Sequence, residues 1–265
     1  MQEHSLSDRE LDRWVEMSKN PAGAGAKAFL ADFERWQKDG FTHLTRHYYS
    51  EWDGFAERKA AMEAARVPIL QQKRTFSWNE PKPPVDVPDR LSFRSMTDAG
   101  REGFLQAAAL ALSGTLDRVE QAELARLGDR DVRDFVCQEW EGITEHFDYE
   151  PVWWQLAYDG GGDLVGYTQP VTYPGADREG LKESSLYHIA VLPEHRGNGY
   201  INDILARSVA TMQRVGVWRV FCDTDTENTP MIRAFQHAGF DEEGVMYRWR
   251  GDLSADGPRK GKLER

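Results

Sequence analysis

The chain has 265 residues, of which 40% are hydrophobic and 29% charged, and its net charge is −11, from 33 Lys and Arg against 44 Asp and Glu. A chain of this length buries a real core, and nine Trp and twelve Phe exclude disorder over the whole sequence. The acidic balance repels phosphate backbones, so nucleic acid is not an expected partner, while a cationic small molecule is attracted. Cys137 and Cys222 are too few for a disulfide scaffold and have no zinc-type spacing, so they are expected to be buried thiols in a reducing compartment. The N-terminal MQEHSLSDRE is too polar for a signal peptide, and no apolar run approaches the roughly 18 residues of a membrane span. The expected location is cytoplasmic, without a membrane partner.

Residues 1–78 read as a mostly helical N-terminal extension. Leu11, Trp14 and Val15 share one helical face, as do Phe29, Leu30, Phe33 and Trp36. The Pro21–Ala28 run reads as a turn or hinge. Residues 51–66 repeat the helical pattern more weakly through Phe55, Lys59 and Met62, and Arg74–Trp78 reads as a short edge strand. His43 and His47, four residues apart, would form a metal pair on a helix, but no third ligand accompanies them, and packing is the expected role. Residues 79–88 (NEPKPPVDVP) carry four prolines and read as a linker.

Beyond the linker, strands and helices alternate. Leu91–Met96 is an expected strand, followed by helices over Arg101–Leu112 and Val132–Phe147. Strands over Val152–Tyr158 and Leu164–Val171 flank the turn Asp159–Asp163 as a hairpin. A strand over Ser184–Leu192 leads to a helix over Ile201–Val215, then a strand over Val217–Asp223. A helix over Thr229–His237 has Pro230 in its first turn and Gly239 just past its end. A strand over Val245–Arg250 closes the fold, and residues 251–265 form a charged tail.

The stretch that carries chemistry is Ile189–Ile201, IAVLPEHRGNGYI. A buried strand runs into Arg196, Gly197, Asn198 and Gly199 and then straight into a helix. Glycines let the backbone approach a ligand closely, and successive N–H groups at a helix start bind anions. For an isolated RGxG turn a plain strand–helix connection is the favoured reading. Here the strand before it, the helix of about four turns after it, and the next strand and helix with Asn228 all sit at the right distances.

With these residues in hand, 89–250 resembles a GCN5-related N-acetyltransferase (GNAT) domain. Val191–Gly199 follows the family form V-x-P-E-x-R-G-x-G, with Ile201 where the last motif position is usually Gly or Ala. Asp223–Met231, Ala234-Phe235 and Ala238-Gly239-Phe240 follow its strand–Asn–helix–Gly-Phe element. The resemblance implies an α/β (α+β) fold: a mixed central sheet flanked by helices, with a V-shaped splay between two parallel strands, here Ser184–Leu192 and Val217–Asp223. It implies acetyl-coenzyme A as the cofactor. A bulge opens the splay, and the backbone of Ile189, Ala190 and Val191 pairs with the pantetheine arm. The N–H of Val191 faces the thioester oxygen and stabilises the oxyanion. Arg196, Gly197, Asn198, Gly199, Tyr200 and Ile201 hold the pyrophosphate, and Asn228 bonds the pantetheine arm. No metal is implied. Residues 1–78 would be a cap or a second, degenerate half-domain.

The family's usual acid, a Tyr in the last motif helix, corresponds here to Phe235, which cannot donate a proton. The base usually lies four or six positions before the residue matching Val191, which gives Tyr187 and Ser185. Tyr187 is the expected acid or water-mediated base, and Asp223 a second catalytic candidate, with Asp225 beside it. Regular alternation places Tyr187 and Ser185 on one strand face and His188 on the other, so His188 is expected to be a core or hydrogen-bonding residue. Glu139, Glu141, Glu145, His146, Asp148 and Glu150 form an acidic run in the neighbourhood that sets acceptor specificity in the family. Glu145, Asp148, Trp153 and Tyr187 are expected to line the acceptor site, with Trp153 and Trp154 on opposite faces of one strand, while Tyr167 and Tyr173 serve either packing or the site.

The expected function is acetyl transfer from acetyl-CoA to a small, cationic amine. The alternatives are a non-catalytic acyl-CoA-binding module and a protein lysine acetyltransferase. The sequence leaves monomer and homodimer equally open.

Overall fold

The computed structural model describes residues 2–127 and 132–253. The charged tail from residue 254 onward lies outside them. In chain order the first elements are β1 (Glu3–Ser5), α1 (Asp8–Lys19), α2 (Ala24–Lys38), β2 (His43–Tyr49), α3 (Phe55–Ala64), β3 (Ile69–Asn79) and β4 (Ser92–Ser95). Then follow α4 (Met96–Leu112), α5 (Arg118–Leu127), α6 (Val132–His146), β5 (Gln155–Tyr158), β6 (Leu164–Thr172) and β7 (Lys182–Val191). The last elements are α7 (Tyr200–Val215), β8 (Val217–Asp225), α8 (Thr229–His237) and β9 (Asp241–Asp252). The described residues form two compact units: 2–73 with 244–253, and those within 74–243. The boundaries fall inside β3 and β9 rather than at the proline-rich stretch 79–88, which belongs to the second unit.

The first unit is less helical than its sequence pattern suggests. Ser7 starts α1 with a capping box, its side chain taking the Glu10 N–H while the Glu10 carboxylate takes the Ser7 N–H. Leu11, Trp14, Phe29, Phe33 and Trp36 are buried as expected, with Leu44, Tyr48 and Trp249, in one aromatic core. The Pro21–Ala28 run is only half a turn, since Ala24 opens α2. His43 and His47 lie on the strand β2, not on a helix. The His43–Tyr49 segment pairs with β9 along its whole length, and seven-residue strand pairing overrides the weak four-residue repeat.

In the second unit the strand order is β3-β8-β7-β6-β5-β4. Strands β4 to β7 run antiparallel to their neighbours and β7 runs parallel to β8, so the sheet is mixed. Thr75, Phe76, Ser77 and Trp78 are all buried, which is not the pattern of an edge strand. The regular part of α4 begins at Arg101, after a break at Gly100. The helix α5 has no fully buried residue and lacked a legible apolar stripe.

Two cores face the two sides of this sheet. Leu186, Leu205, Val209, Met212, Val220, Cys222 and Phe235 pack together under α7 and α8. Phe104, Trp140, Ile143, Trp154, Tyr167 and Val171 pack under α4 and α6. Burying aromatic side chains of this size contributes about 2–3 kcal/mol each. Trp153 and Trp154 sit in the turn before β5 rather than on a strand; Trp154 is buried, with its indole N–H donating to the Pro170 carbonyl at 3.2 Å. Cys222 is buried as expected, whereas Cys137 is only half-buried.

Candidate active site

Pairing between β7 and β8 ends at Ser185–Phe221, so Leu186–Val191 has no register with β8. On its other edge β7 stays paired to β6 through Ile189–Thr168, Ala190–Tyr167 and Val191–Gly166. The expected splay is therefore present, with Ile189, Ala190 and Val191 on its open side. Gly166 lets β6 approach closely there: a Cβ on it would lie 2.3 Å from the Ala190 carbonyl oxygen.

After Val191 comes a short 3₁₀ turn over Pro193–His195, and then Arg196–Gly199. Gly197 and Gly199 have φ of 84° and 75°, conformations that L side chains rarely adopt. Gly199 is the N-cap of α7 and supplies no side-chain cap, so the helix begins with uncapped N–H groups. Ile201 packs against the core under α7. Its bulk is turned away from the turn, which reconciles it with a motif that usually has Gly or Ala.

The Arg196 guanidinium is engaged elsewhere. It donates to the carbonyls of Val191 at 3.1 Å, Gly114 at 2.5 Å and Ala111 at 3.3 Å. It thus ties the turn to the C-terminal end of α4, where carbonyls lack helical partners. Its partial burial lowers its pKa below the usual guanidinium value. A cation that the sequence did not single out stands beside the turn instead. Arg90 donates to the Asn198 carbonyl at 3.4 Å and pairs at 2.5 Å with Asp203, a carboxylate buried in the first turn of α7. By neutralising Asp203, Arg90 keeps the start of α7 electropositive.

Asn228 caps α8, its side-chain oxygen accepting from the Met231 N–H at 3.3 Å. Phe235 lies within the core against Phe76 and Phe240, away from solvent. Asp225 is fully buried. Its carboxylate accepts from Arg118 Nε at 3.1 Å and from the Glu227 N–H at 3.0 Å, which anchors the start of α5.

The most consequential departure from the sequence reading lies in β7. Gln169 pairs with His188 and Pro170 with Leu186, which leaves Tyr187 as the extra residue of a bulge. Regular alternation breaks there. Tyr187 and Ala190 pack against the core under α4 and α6, and His188 stacks on Tyr167 of that same core. Leu186 and Ile189 face the core under α7 and α8. Tyr187 and His188 therefore share one face, and the parity argument that set His188 apart from Tyr187 does not hold.

On this face His188 Nδ1 is 2.6 Å from the Tyr167 hydroxyl and Nε2 is 3.2 Å from Glu120 of α5. The other Glu120 oxygen accepts from the Thr115 hydroxyl. Tyr187 is half-buried and stands edge-on to Phe147 at 6.0 Å. Burial, then the charges of Glu139 and Glu120, push its phenol up to about 12. It therefore keeps its proton through the neutral range and suits donation rather than base chemistry. Asp223 stays half-buried on β8; its neighbours Val220 and Cys222 face the opposite core, which puts Asp223 on the Tyr187 side. Glu145 and Asp148 are exposed, and Trp153 is half-buried. Glu120, Tyr167 and His188 are the residues the sequence reading did not assemble: they come from three elements, and α5 gave no signal.

The model of the acetyltransferase (GNAT) family matches residues 119–240. The second unit is a member of the GNAT family. A mycothiol acetyltransferase of Arthrobacter sp. (strain FB24) is 24% identical over 224 residues, covering 84% of this chain and 62% of its own length. A mycothiol acetyltransferase of Geodermatophilus obscurus is 24% identical over 248 residues, covering 92% of this chain and 74% of its own. The chain thus spans less than two thirds of the Arthrobacter protein. The crystal structure of a GCN5-related N-acetyltransferase from Sphaerobacter thermophilus has the same fold, with a TM-score of 0.57 at 16% identity, over 88% of this chain and 69% of that one. The mixed sheet with its splay is therefore the GNAT fold. No described helix is long and apolar enough to cross a membrane.

Proposed function

We propose that this protein is an N-acetyltransferase that uses acetyl-CoA to acetylate the amine of a small molecule. The observation that carries the reading is the uncapped start of α7, opened by Gly197 and Gly199 and lying directly after the unpaired edge of β7. Orphan N–H groups at a helix start favour an anion, and a splayed strand edge favours an extended polar chain. These features fit the pyrophosphate and the amide-bearing arm of coenzyme A. The N–H groups of Gly197 to Ile201 would hold the first, with Arg90 offsetting the Asp203 charge, and the backbone of Ile189–Val191 the second. When bound, acetyl-CoA supplies an activated acyl group on a thioester.

The chain's own groups would do the rest. The Val191 N–H polarises the carbonyl under attack. Tyr187, protonated at neutral pH, donates a hydrogen bond on the acceptor side, and Asp223 offers a carboxylate to an ammonium. The acidic Glu139, Glu145 and Asp148 around that face favour a cationic acceptor. Asn228 keeps the loop after β8 in place as a helix cap.

The test is calorimetric titration of the purified chain with acetyl-CoA and free CoA, followed by a thiol-release screen over small amines. The panel should include the acceptor of the mycothiol acetyltransferases. Micromolar binding and thiol release with any amine support the reading. Binding without turnover replaces it with an acyl-CoA-binding module, and absence of binding removes it.

A further inference from the structure

The bulge at Tyr187 brings to one face a hydrogen-bonded chain that the family signature does not contain: Tyr167, His188 and Glu120. An ionised carboxylate only accepts, so the 3.2 Å contact to Glu120 puts a hydrogen on His188 Nε2. The neutral ring then has its lone pair on Nδ1, which accepts from the Tyr167 hydroxyl 2.6 Å away. Tyr167 is fully buried, and burial with the Glu120 charge pushes its phenol well above the usual value, so it keeps its proton and donates to the neutral ring. The ring is thus fixed in one tautomer and one orientation from both ends. The His188 and Glu120 side chains are 28% and 27% exposed, so the pair is open to a ligand although Tyr167 is not. Glu120 is held in turn by Thr115, and its helix by Asp225 on Arg118.

Resting on the transferase reading above, we propose that the Glu120–His188 pair is the proton acceptor of the reaction, with Tyr167 as its positioning residue. An ammonium N–H bond of the acceptor breaks and its proton enters the pair, giving an imidazolium beside a carboxylate, with the Tyr167 hydroxyl turning from donor to acceptor at Nδ1. The electron pair left on nitrogen forms the new N–C bond at the acyl carbon as the thioester C–S bond breaks. The sulfur departs with those electrons and takes up one proton, returned by the imidazolium or by solvent. The proton is assigned to the pair rather than to either residue, because the two share one hydrogen bond. Among the described residues, the other titratable groups on this face are Tyr167 of β6, Tyr187 of β7, Asp223 of β8, Arg118 of α5 and Glu139 of α6. The first two keep their protons at pH 7, and Arg118 is committed to Asp225.

The test compares wild type, His188→Gln and Glu120→Gln. Ring nitrogen NMR of the ligand-free protein, with His188 assigned by its loss in His188→Gln, should show the Nε2–H tautomer in the wild type and its loss of preference in Glu120→Gln. A ring in the Nδ1–H tautomer, or one whose tautomer ignores Glu120→Gln, overturns the proposal. With an amine that releases thiol in the screen, His188→Gln should lower kcat/KM about 100-fold and abolish the acidic limb of its pH profile. Glu120→Gln should move that limb to lower pH, and acetyl-CoA affinity should stay within about threefold in both. Unchanged turnover and profile in His188→Gln, with acetyl-CoA still bound, sinks this proposal alone. Absence of acetyl-CoA binding or of thiol release in the wild type sinks the transferase reading and this one together.

Discussion

The glycine turn before α7 and the Tyr187–His188 face of β7 are built from opposite kinds of information. The turn is local: thirteen consecutive residues, Ile189–Ile201, supply the strand end, the two left-handed glycines and the helix start. The face is assembled: Glu120, Tyr167, Tyr187 and His188 come from α5, β6 and β7 and meet only because of a bulge and a buried carboxylate. Backbone chemistry can be written in a short motif, because N–H groups need only the right φ and ψ. Side-chain chemistry needs distances between elements, and no spacing rule fixes those.

This contrast can be broken most directly at the turn. Gly199→Glu places a carboxylate at the anion site and a side chain at φ 75°, and should weaken acetyl-CoA binding at least about 100-fold by calorimetry. The His188 Nε2–H tautomer should survive that change; if it is lost, the two regions are one structural unit and the contrast fails.

A second variant addresses the assembled face. Asp225→Ala removes the buried partner of Arg118 and should cost about 2–3 kcal/mol in urea unfolding. Thiol release should drop further than acetyl-CoA affinity, because α5 carries Glu120. Equal losses in both would show that Asp225 supports the whole fold and not this face.

A smaller effect is expected at Arg196. Because its guanidinium serves three carbonyls, Arg196→Ala should cost about 1 kcal/mol of stability and weaken acetyl-CoA no more than about tenfold. A 100-fold loss of affinity at unchanged stability would return Arg196 to the anion site as a direct ligand.

The smallest effect concerns alkaline pH. Burial pushes the Cys222 thiol up to about 12, and burial with nearby Glu139 and Glu120 does the same to Tyr187. Between about pH 9 and 12 the native state holds protons that the unfolded chain has lost, so stability falls as pH rises through that window. Cys222→Ala should flatten the first part of that decline, and a slope identical to wild type would argue against the buried thiol as its source.

Several features were legible in the residues alone. Strand–turn–helix around Arg196–Gly199, the hairpin across Asp159–Asp163, the helix Thr229–His237 and the two apolar stripes of the first 40 residues follow from local pattern, turn chemistry and capping. The α/β class and the splay follow from the family signature. Other features were not legible. Helix α5 has no apolar stripe because none of its residues is fully buried. The four-residue spacing of His43 and His47 suits a helix, yet both sit on a strand, because pairing with β9 decided that segment.

His188 shows where the limit lies. Strict alternation set it opposite Tyr187, and alternation is the only rule a strand sequence offers. One inserted residue in the β6–β7 ladder reverses that rule, and a bulge is fixed by pairing with a partner strand that the sequence of β7 does not contain. The sequence by itself determined the turn, because its glycines act on their own backbone. Only the tertiary structure decided which side chains join Tyr187 on one face of β7, because that depends on the register between strands and on where α5 is pinned.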